Sequence, residues 1–450
     1  MRILLVICRV LVGATFIISG LVKANDALGF SYKLEEYFEP SSLGFHFLNP
    51  AALPLAILAC LAEVVLGFAV LVGGRMKLAT WSLLGLTLFF GVLTAYTGRC
   101  NDLHEKNTPM TYIDVVDGVE VEKERTCVTD CGCFGDAMKG SLGRSLTPWE
   151  SFTKDMVLLV FVLPLFIFRK RITFNTWGDD LAILPASLAL LAFYCWVFAW
   201  WFPLLFALIA LAGYVGIKYL VKGVRAEWIT AGWVTAITLV FIWWCHAHLP
   251  MRDYRAYAEG KSITEQQTMG KPPVEDIFVI YRNSVTGEQK EFDSKGTYPW
   301  DDSTWVYVDR RVVVKERGID SPVKDFILTD KDGYDATADI LAEPAPVLLV
   351  VIKTVDQAST GCLPAISELA RTAVQNGWYV YGLTSTGYDQ SEAFRHEHQL
   401  PYEFLTCDEI TLKTMIRSNP GVVLLQQGTV RGQWHCNDVP KFEQAKRKLK

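Results

Sequence analysis

Residues 51–73, AALPLAILACLAEVVLGFAVLVG, run for 23 positions with a single charged side chain, Glu63. Read as a helix rising 1.5 Å per residue, the run matches the ~20 residues needed to cross the hydrocarbon of a bilayer. Six more runs of this kind lie at about 3–24, 78–97, 149–168, 181–199, 202–219 and 228–248. Where they adjoin, they are divided by the short pieces GGRMK, FRKRITFNTWGDD, WWFP and KYLVKGVRAE. The first run carries Arg9, exceeds the length of a signal-peptide apolar region, and ends in LVKANDAL, which offers no small-x-small cleavage site. It is therefore read as a helix, and the chain as a bundle of seven spans.

Composition agrees. The 450 residues are 51% hydrophobic, with a mean hydropathy of +0.23. Only 20% are charged, against the ~25% usual in soluble domains. Of the 91 charged residues, 53 fall in the last 200 positions, and 15 of the remaining 38 crowd into residues 98–149. A soluble cytosolic protein, a fibre and a disordered chain are excluded. A net charge of −5 offers no basic face to nucleic acid. Arg75 and Lys77, then Arg169, Lys170 and Arg171, then Lys218, Lys222 and Arg225 fall in alternate connections, which the positive-inside rule places in the cytoplasm. The N-terminus is then inside, and residues 25–50, 98–149 and everything after 250 are outside.

From about 250 the pattern changes to period-two alternation with turns, as in DIFVIYRNSVTGEQKEF (276–292) and WVYVDRRVVVKE (305–316). DFILTDKDGYDATADIL (325–341) leads into a buried strand, PVLLVVI, and the helical run LPAISELARTAVQN. WYVYGLT, QSEAFRHEHQ and YEFL repeat the alternation, and NPGVVLLQQGTVRGQWH (419–435) reads as a hairpin before a last helix, KFEQAKRKLK. This is an α/β unit. The divisions follow: membrane bundle 1–168, three further spans 169–249, a small β-rich connector 250–322, and an α/β domain 323–450.

Of eleven cysteines, Cys8, Cys60, Cys195 and Cys245 lie in apolar spans, where cysteine is a small packing residue. Cys100, Cys127, Cys131 and Cys133 share the exported loop, the last three within TCVTDCGCFGD (126–136). Three readings stay open: structural disulfides, a redox-active pair, and a metal site, for which only His104 is at hand. A C-x-C ring is small and strained, which suits exchange chemistry. Gly132 relaxes the backbone so that the sulfurs of Cys131 and Cys133 can approach.

CRVLVGATFIISGLVKA (8–24), LAEVVLGFAVLVG (61–73) and DCGCFGD (130–136) before a fourth span resemble the MauE/DoxX family of redox-associated membrane proteins. The resemblance covers residues 1–168. It implies a four-helix unit like that of quinone-linked disulfide-forming enzymes, a role in maturation of exported disulfide-rich proteins, and a quinone as electron acceptor. Arg9 and Glu63 are intramembrane charges that need partners. Counting heights along antiparallel helices pairs them with each other, as a structural ion pair or as contacts to a cofactor headgroup. Lys23 and Asp155 would form a second pair.

DFILTDKDGYDATADIL before the central strand, and NPGVVLL before a glycine turn, resemble thioredoxin-like proteins of the TlpA and peroxiredoxin type, over 323–450. Pro420 then takes the cis-proline position. Where those proteins carry C-x-x-C, this chain reads KTVDQASTGCLPAISEL (353–369). With Cys362 in the second position, Ser359 stands in the first, leaving a lone thiol or a redox-inert binding scaffold. Cys407 and Cys436 cannot be paired from sequence. The combined expectation is a multi-pass inner-membrane protein of a Gram-negative bacterium, in contact with lipid and with a periplasmic protein partner. Its work is thiol–disulfide redox, or, in the alternative, non-enzymatic scaffolding.

Overall fold

The computed structural model describes residues 1–106, 108, 110–116, 119–128, 132, 134, 137–138, 145–271, 274–297, 299, 301–316, 318 and 321–449. The N-terminal half is helical: α1 (Arg2–Asn25), α2 (Ala27–Phe38), α3 (Ala52–Val72), α4 (Met76–Glu105), α5 (Pro148–Ile167), α6 (Trp177–Val197), α7 (Phe202–Leu220) and α8 (Val224–His248). Asp26 starts α2 by accepting from the Gly29 amide, and Thr147–Glu150 and Thr176–Asp179 form reciprocal caps on α5 and α6. Six helices are long and apolar enough to cross a membrane: α1, the His46–Val72 run containing α3, α4, α6, α7 and α8. The seventh expected span is also a helix, α5, but Glu150, Lys154 and Asp155 fall within its 20 residues, and it is not among the six. It nevertheless lies along the length of α4. Trp149 donates to Asp102 (3.0 Å) near one end, and Trp81 packs edge-on against Phe166 (4.6 Å) near the other.

The exported loop begins later than expected. α4 continues through Cys100 to Glu105, and a hairpin of β1 (Thr111–Val116) and β2 (Val119–Glu124) follows.

α1 and α3 cross at glycines. A Cβ on Gly67 would come within 2.8 Å of the Gly13 carbonyl, and one on Gly20 within 3.0 Å of the Cys60 carbonyl. Such small-residue contacts let helix backbones approach closely in lipid. They also set the register, and the register overturns the Arg9–Glu63 pair. Gly13 faces Gly67 and Gly20 faces Cys60, so Arg9 faces Leu71, the end of α3. There its guanidinium donates to the carbonyls of Val70 and Leu71 (2.8 Å each) and to Asn175 Oδ1 (2.5 Å). These are orphan carbonyls of a helix terminus, which a cation satisfies well. Glu63, eight residues before Leu71 and hence about 12 Å away along α3, pairs instead with Lys23 at 2.6 Å. The expected Lys23–Asp155 pair is replaced as well: Asp155 accepts from its neighbour Lys154 at 3.1 Å.

In the C-terminal half, α9 (Ile263–Thr268) precedes a three-stranded antiparallel sheet of β3 (Val274–Asn283), β4 (Gln289–Asp293) and β5 (Trp305–Glu316), ordered β4-β3-β5. After α10 (Thr337–Ala342) come β6 (Val347–Val351), α11 (Leu363–Gln375), β7 (Tyr379–Thr384), α12 (Tyr388–Glu397), β8 (Glu403–Thr406), α13 (Glu409–Met415), β9 (Gly421–Gln426), β10 (Thr429–His435) and α14 (Phe442–Arg447). The sheet order is β10-β9-β6-β7-β8, with β6, β7 and β8 parallel and β9 and β10 antiparallel to β6. β6 is buried at all five positions, which is why its sequence is continuously apolar rather than alternating. The Asn419–Pro420 bond entering β9 is cis. A five-stranded sheet of this order with a cis-proline before β9 is the thioredoxin-like arrangement. Tyr257 and Ile263, from the stretch read as connector, belong to its core.

The two halves meet at the α1–α2 junction and the end of α8. Arg417 Nε lies 2.9 and 3.0 Å from the Asp26 oxygens, Asn25 donates to the Arg252 carbonyl (2.7 Å), and His248 Nδ1 is 2.9 Å from Asp438.

Candidate redox cysteines and a buried cavity

Two of the expected loop cysteines lie within the described residues, and they are bonded to each other. Cys100, buried in the last turns of α4, is disulfide-bonded to Cys127 just after the hairpin. Backbone and side-chain bonds flank the bridge: Asn101 donates to the Val128 carbonyl (2.9 Å) and Thr126 N to the Ser41 carbonyl (2.8 Å). This bridge is a staple. Cys131 and Cys133 lie outside the described residues. The residue between them, Gly132, has φ +61°, the left-handed region that glycine enters freely, and sits against Lys33 of α2.

Phe134, bonded to Cys133, reaches into the bundle. Its ring packs 5.6 Å from that of Phe198, and the Lys154 ammonium stands 5.0 Å from its centroid. It also lines a cavity of about 240 Å³ walled by α1, α3, α4, α5 and α6. That exceeds the ~150 Å³ apolar cavity known to take benzene. The walls are mostly apolar, with Leu11, Phe16, Phe90, Leu158 and Phe161 among them. Polar groups interrupt these walls. Lys23 donates to Glu63 Oε1 (2.6 Å) and Ser19 Oγ (2.9 Å), and Thr15 Oγ1 is 2.8 Å from the Tyr194 hydroxyl. Glu63 Oε2, Asp155 Oδ2 and Thr87 Oγ1, all buried and all on residues lining the cavity, have no hydrogen-bond partner among the described residues.

Of the intramembrane charges singled out from sequence, Glu63, Lys23 and Asp155 therefore line this cavity, and Arg9 does not. Lys154, Phe134 and Tyr194 were missed. One signal was present: Thr15, Ser19 and Lys23 recur every fourth residue on α1, a polar stripe on a mostly apolar helix.

The thioredoxin-like domain corrects a second expectation. Cys362 is no lone thiol. It is disulfide-bonded to Cys436 at the end of β10, which leaves neither sulfur available. Cys407, the remaining cysteine of this domain, is buried, and burial pushes its thiol up to about 12, an unreactive state. The face beside the cis-proline is closed by α2. Lys353, just past β6, donates to the Tyr32 hydroxyl (3.2 Å), and Lys413 and Arg417 flank the same ring at 5.1 and 5.5 Å. Burial, and then the neighbouring Arg417, Arg255 and Lys413, hold the Lys353 ammonium down at about 7, with Asp26 opposing.

Residues 1–102 match the family model of methylamine utilisation protein MauE. Residues 276–317, most of the three-stranded sheet, match a domain of unknown function (DUF8463). No curated protein matches the chain. Among solved structures, the chain is similar to peroxidoxin BcpB from Mycobacterium tuberculosis (15% identity, 28% of this chain and 92% of that one, TM-score 0.23). It is also similar to StoA from Bacillus subtilis (14%, 28% and 97%, 0.22) and to a thiol:disulfide interchange protein from a Bacteroides species (12%, 28% and 84%, 0.22). The fold of the C-terminal domain rests on its strand order and cis-proline. The chain is thus a membrane protein whose residues 1–102 match the MauE family model and whose C-terminal domain has the thioredoxin-like fold.

Proposed function

We propose that this chain is a thiol–disulfide redox protein of the bacterial inner membrane that supports oxidation of exported proteins, with Cys131 and Cys133 as its working dithiol. The observation that carries the reading is Phe134, which ties the C-G-C-F sequence to a ring-sized cavity containing charged and unpartnered polar groups. Buried polar groups are ordinarily satisfied, so three orphans on one cavity suit a ligand with polar atoms. A quinone fits the size, the apolar walls and the polar groups among them, and when bound it supplies an acceptor for two electrons and two protons. On the protein, the step joins two thiols into one disulfide and releases two electrons and two protons. Lys23 and Lys154 stand at the cavity wall, paired with Glu63 and Asp155.

In this reading α5 is the seventh span. The three basic connections gather at one end, where Arg2 meets Asp179 (2.8 Å) and the Arg75 amide donates to Glu227 (2.7 Å). That end is cytoplasmic, and the thioredoxin-like domain at the other end is periplasmic. With its own cysteines bridged or buried, that domain serves as a redox-inert element that positions the membrane unit and a protein partner. Reduced protein in nanodiscs containing a benzoquinone should form a new Cys131–Cys133 disulfide, seen by differential alkylation and mass spectrometry. Reoxidation at the same rate without quinone, or in a Cys131→Ser variant, rejects the proposal.

A further inference from the structure

The donors and acceptors around the cavity are unevenly used. Both ammonium groups already face carboxylates: Lys23 donates to Glu63 Oε1, and Lys154 lies 3.1 Å from Asp155 Oδ1. What is left over is one hydroxyl, Thr87 Oγ1, and two carboxylate oxygens. Glu63 is 2% exposed and Asp155 4%, and the second oxygen of each has no partner among the described residues. An ionised carboxylate only accepts hydrogen bonds. A quinone carbonyl also only accepts, so it meets these oxygens as acceptor against acceptor in a low-dielectric site. A hydroquinone carries two hydroxyl donors and completes both.

We infer that the cavity binds the hydroquinone form more tightly than the quinone, through Glu63 Oε2 and Asp155 Oδ2. This rests on the quinone reading above and specifies which redox state the site favours. Selective binding of the reduced form raises the potential of the bound couple. Each tenfold preference is worth about 30 mV for a two-electron couple. The shift runs in the direction that draws electrons from dithiols: two thiols lose two electrons and two protons to form one disulfide, and the quinone takes up both pairs as hydroquinone.

The test is binding, not turnover. The full chain, with its cysteines oxidised, is titrated calorimetrically in detergent under argon with a short-chain benzoquinone and with the matching hydroquinone. The hydroquinone should bind at least tenfold more tightly. Glu63→Gln and Asp155→Asn each replace an acceptor-only oxygen with an amide that can also donate, so each should bring the two dissociation constants closer together. Asp155→Asn keeps the test alive if Glu63→Gln disturbs the Lys23 pair. Equal affinities in the unaltered protein, or tighter quinone binding, overturn the inference and leave the quinone site standing. Binding of neither form overturns the quinone site, and with it the inference.

Discussion

Two lysines among the described residues are almost wholly buried, Lys23 in the membrane bundle at 5% exposure and Lys353 in the thioredoxin-like domain at 6%. Their surroundings are opposite. Lys23 sits against Glu63 at 2.6 Å, so its charge is matched where water is excluded. Lys353 has a phenol at 3.2 Å and three other cations nearby, and its charge is therefore suppressed rather than matched. The contrast separates a site built to keep ions from a contact built around a nearly neutral amine. The first is suited to chemistry with protons, the second to docking two domains.

The sharpest way to break this contrast is to remove one partner of the membrane pair. Lys23→Met or Glu63→Leu alone leaves an uncompensated buried charge, and each should cost ~3–5 kcal/mol. The double variant should cost clearly less than the sum. Thermal unfolding in detergent measures all three, and additive losses would show that the two charges are not coupled. The next effect is covalent. Cys362 and Cys436 are 74 residues apart and Cys100 and Cys127 are 27 apart. Loop-closure entropy makes each bridge worth ~3–4 kcal/mol, more for the longer loop. Cys436→Ala should therefore lower the unfolding midpoint of the thioredoxin-like domain more than Cys127→Ala lowers that of the bundle. In a glutathione buffer neither bridge should exchange before unfolding, whereas Cys131 and Cys133 should equilibrate. Rapid exchange of Cys100–Cys127 would make that bridge, rather than Cys131 and Cys133, the working pair.

These regions were legible in the sequence to different depths. The seven apolar runs each became a helix, and for six of them length and composition alone meet the demand of lipid, where every backbone group must be bonded internally. Pro420 and the β6 run identified the thioredoxin-like sheet for a similarly local reason. Pairings were not legible. The Arg9–Glu63 expectation assumed that both helices start from one plane, but the Gly13–Gly67 contact slides Arg9 to the end of α3. Cys362 and Cys436 meet only because β10 returns beside the central strands, a tertiary fact that no spacing encodes. α2 escaped notice because a 12-residue helix after Asp26 gives too short a pattern, yet it is the element that closes the cis-proline face.

Lys353 offers a smaller, pH-dependent effect. Its ammonium titrates at about 7 in the folded chain, against an ordinary 10.5. Between these values the unfolded chain binds more protons than the folded one, so stability rises with pH across that window and levels off above it. Asp26, Tyr32, Arg255, Lys413 and Arg417 surround the group, but Lys353 is the residue held near neutrality. Thermal midpoints taken from pH 6.5 to 9.5 should climb, and Lys353→Met should flatten the climb. An unchanged slope in that variant would assign the dependence to another residue.

The smallest effect isolates what holds the two halves together. Asp26 has two tasks: it accepts from the Gly29 amide (2.9 Å) to start α2, and it receives Arg417 Nε on both oxygens. Burial alone would raise its carboxyl, but Arg417, Arg255 and the Gly29 amide more than offset this and hold it below the usual range. Its contribution is thus present above the ordinary carboxyl range and is lost as pH falls through the lowered value. Asp26→Asn keeps the cap and removes the charge, and should cost ~1 kcal/mol for a partly exposed pair. Asp26→Ala removes both, and should cost about 1 kcal/mol more. Arg417→Lys keeps the charge but loses the planar fork, so it should resemble Asp26→Asn rather than the unaltered protein. The readout is protease nicking between residues 249 and 262, a stretch joined to both halves. If docking depends on the ion pair, Asp26→Asn and Arg417→Lys should speed nicking alike. If Asp26→Ala alone does so, the cap of α2 carries the contact and the charges are incidental to it.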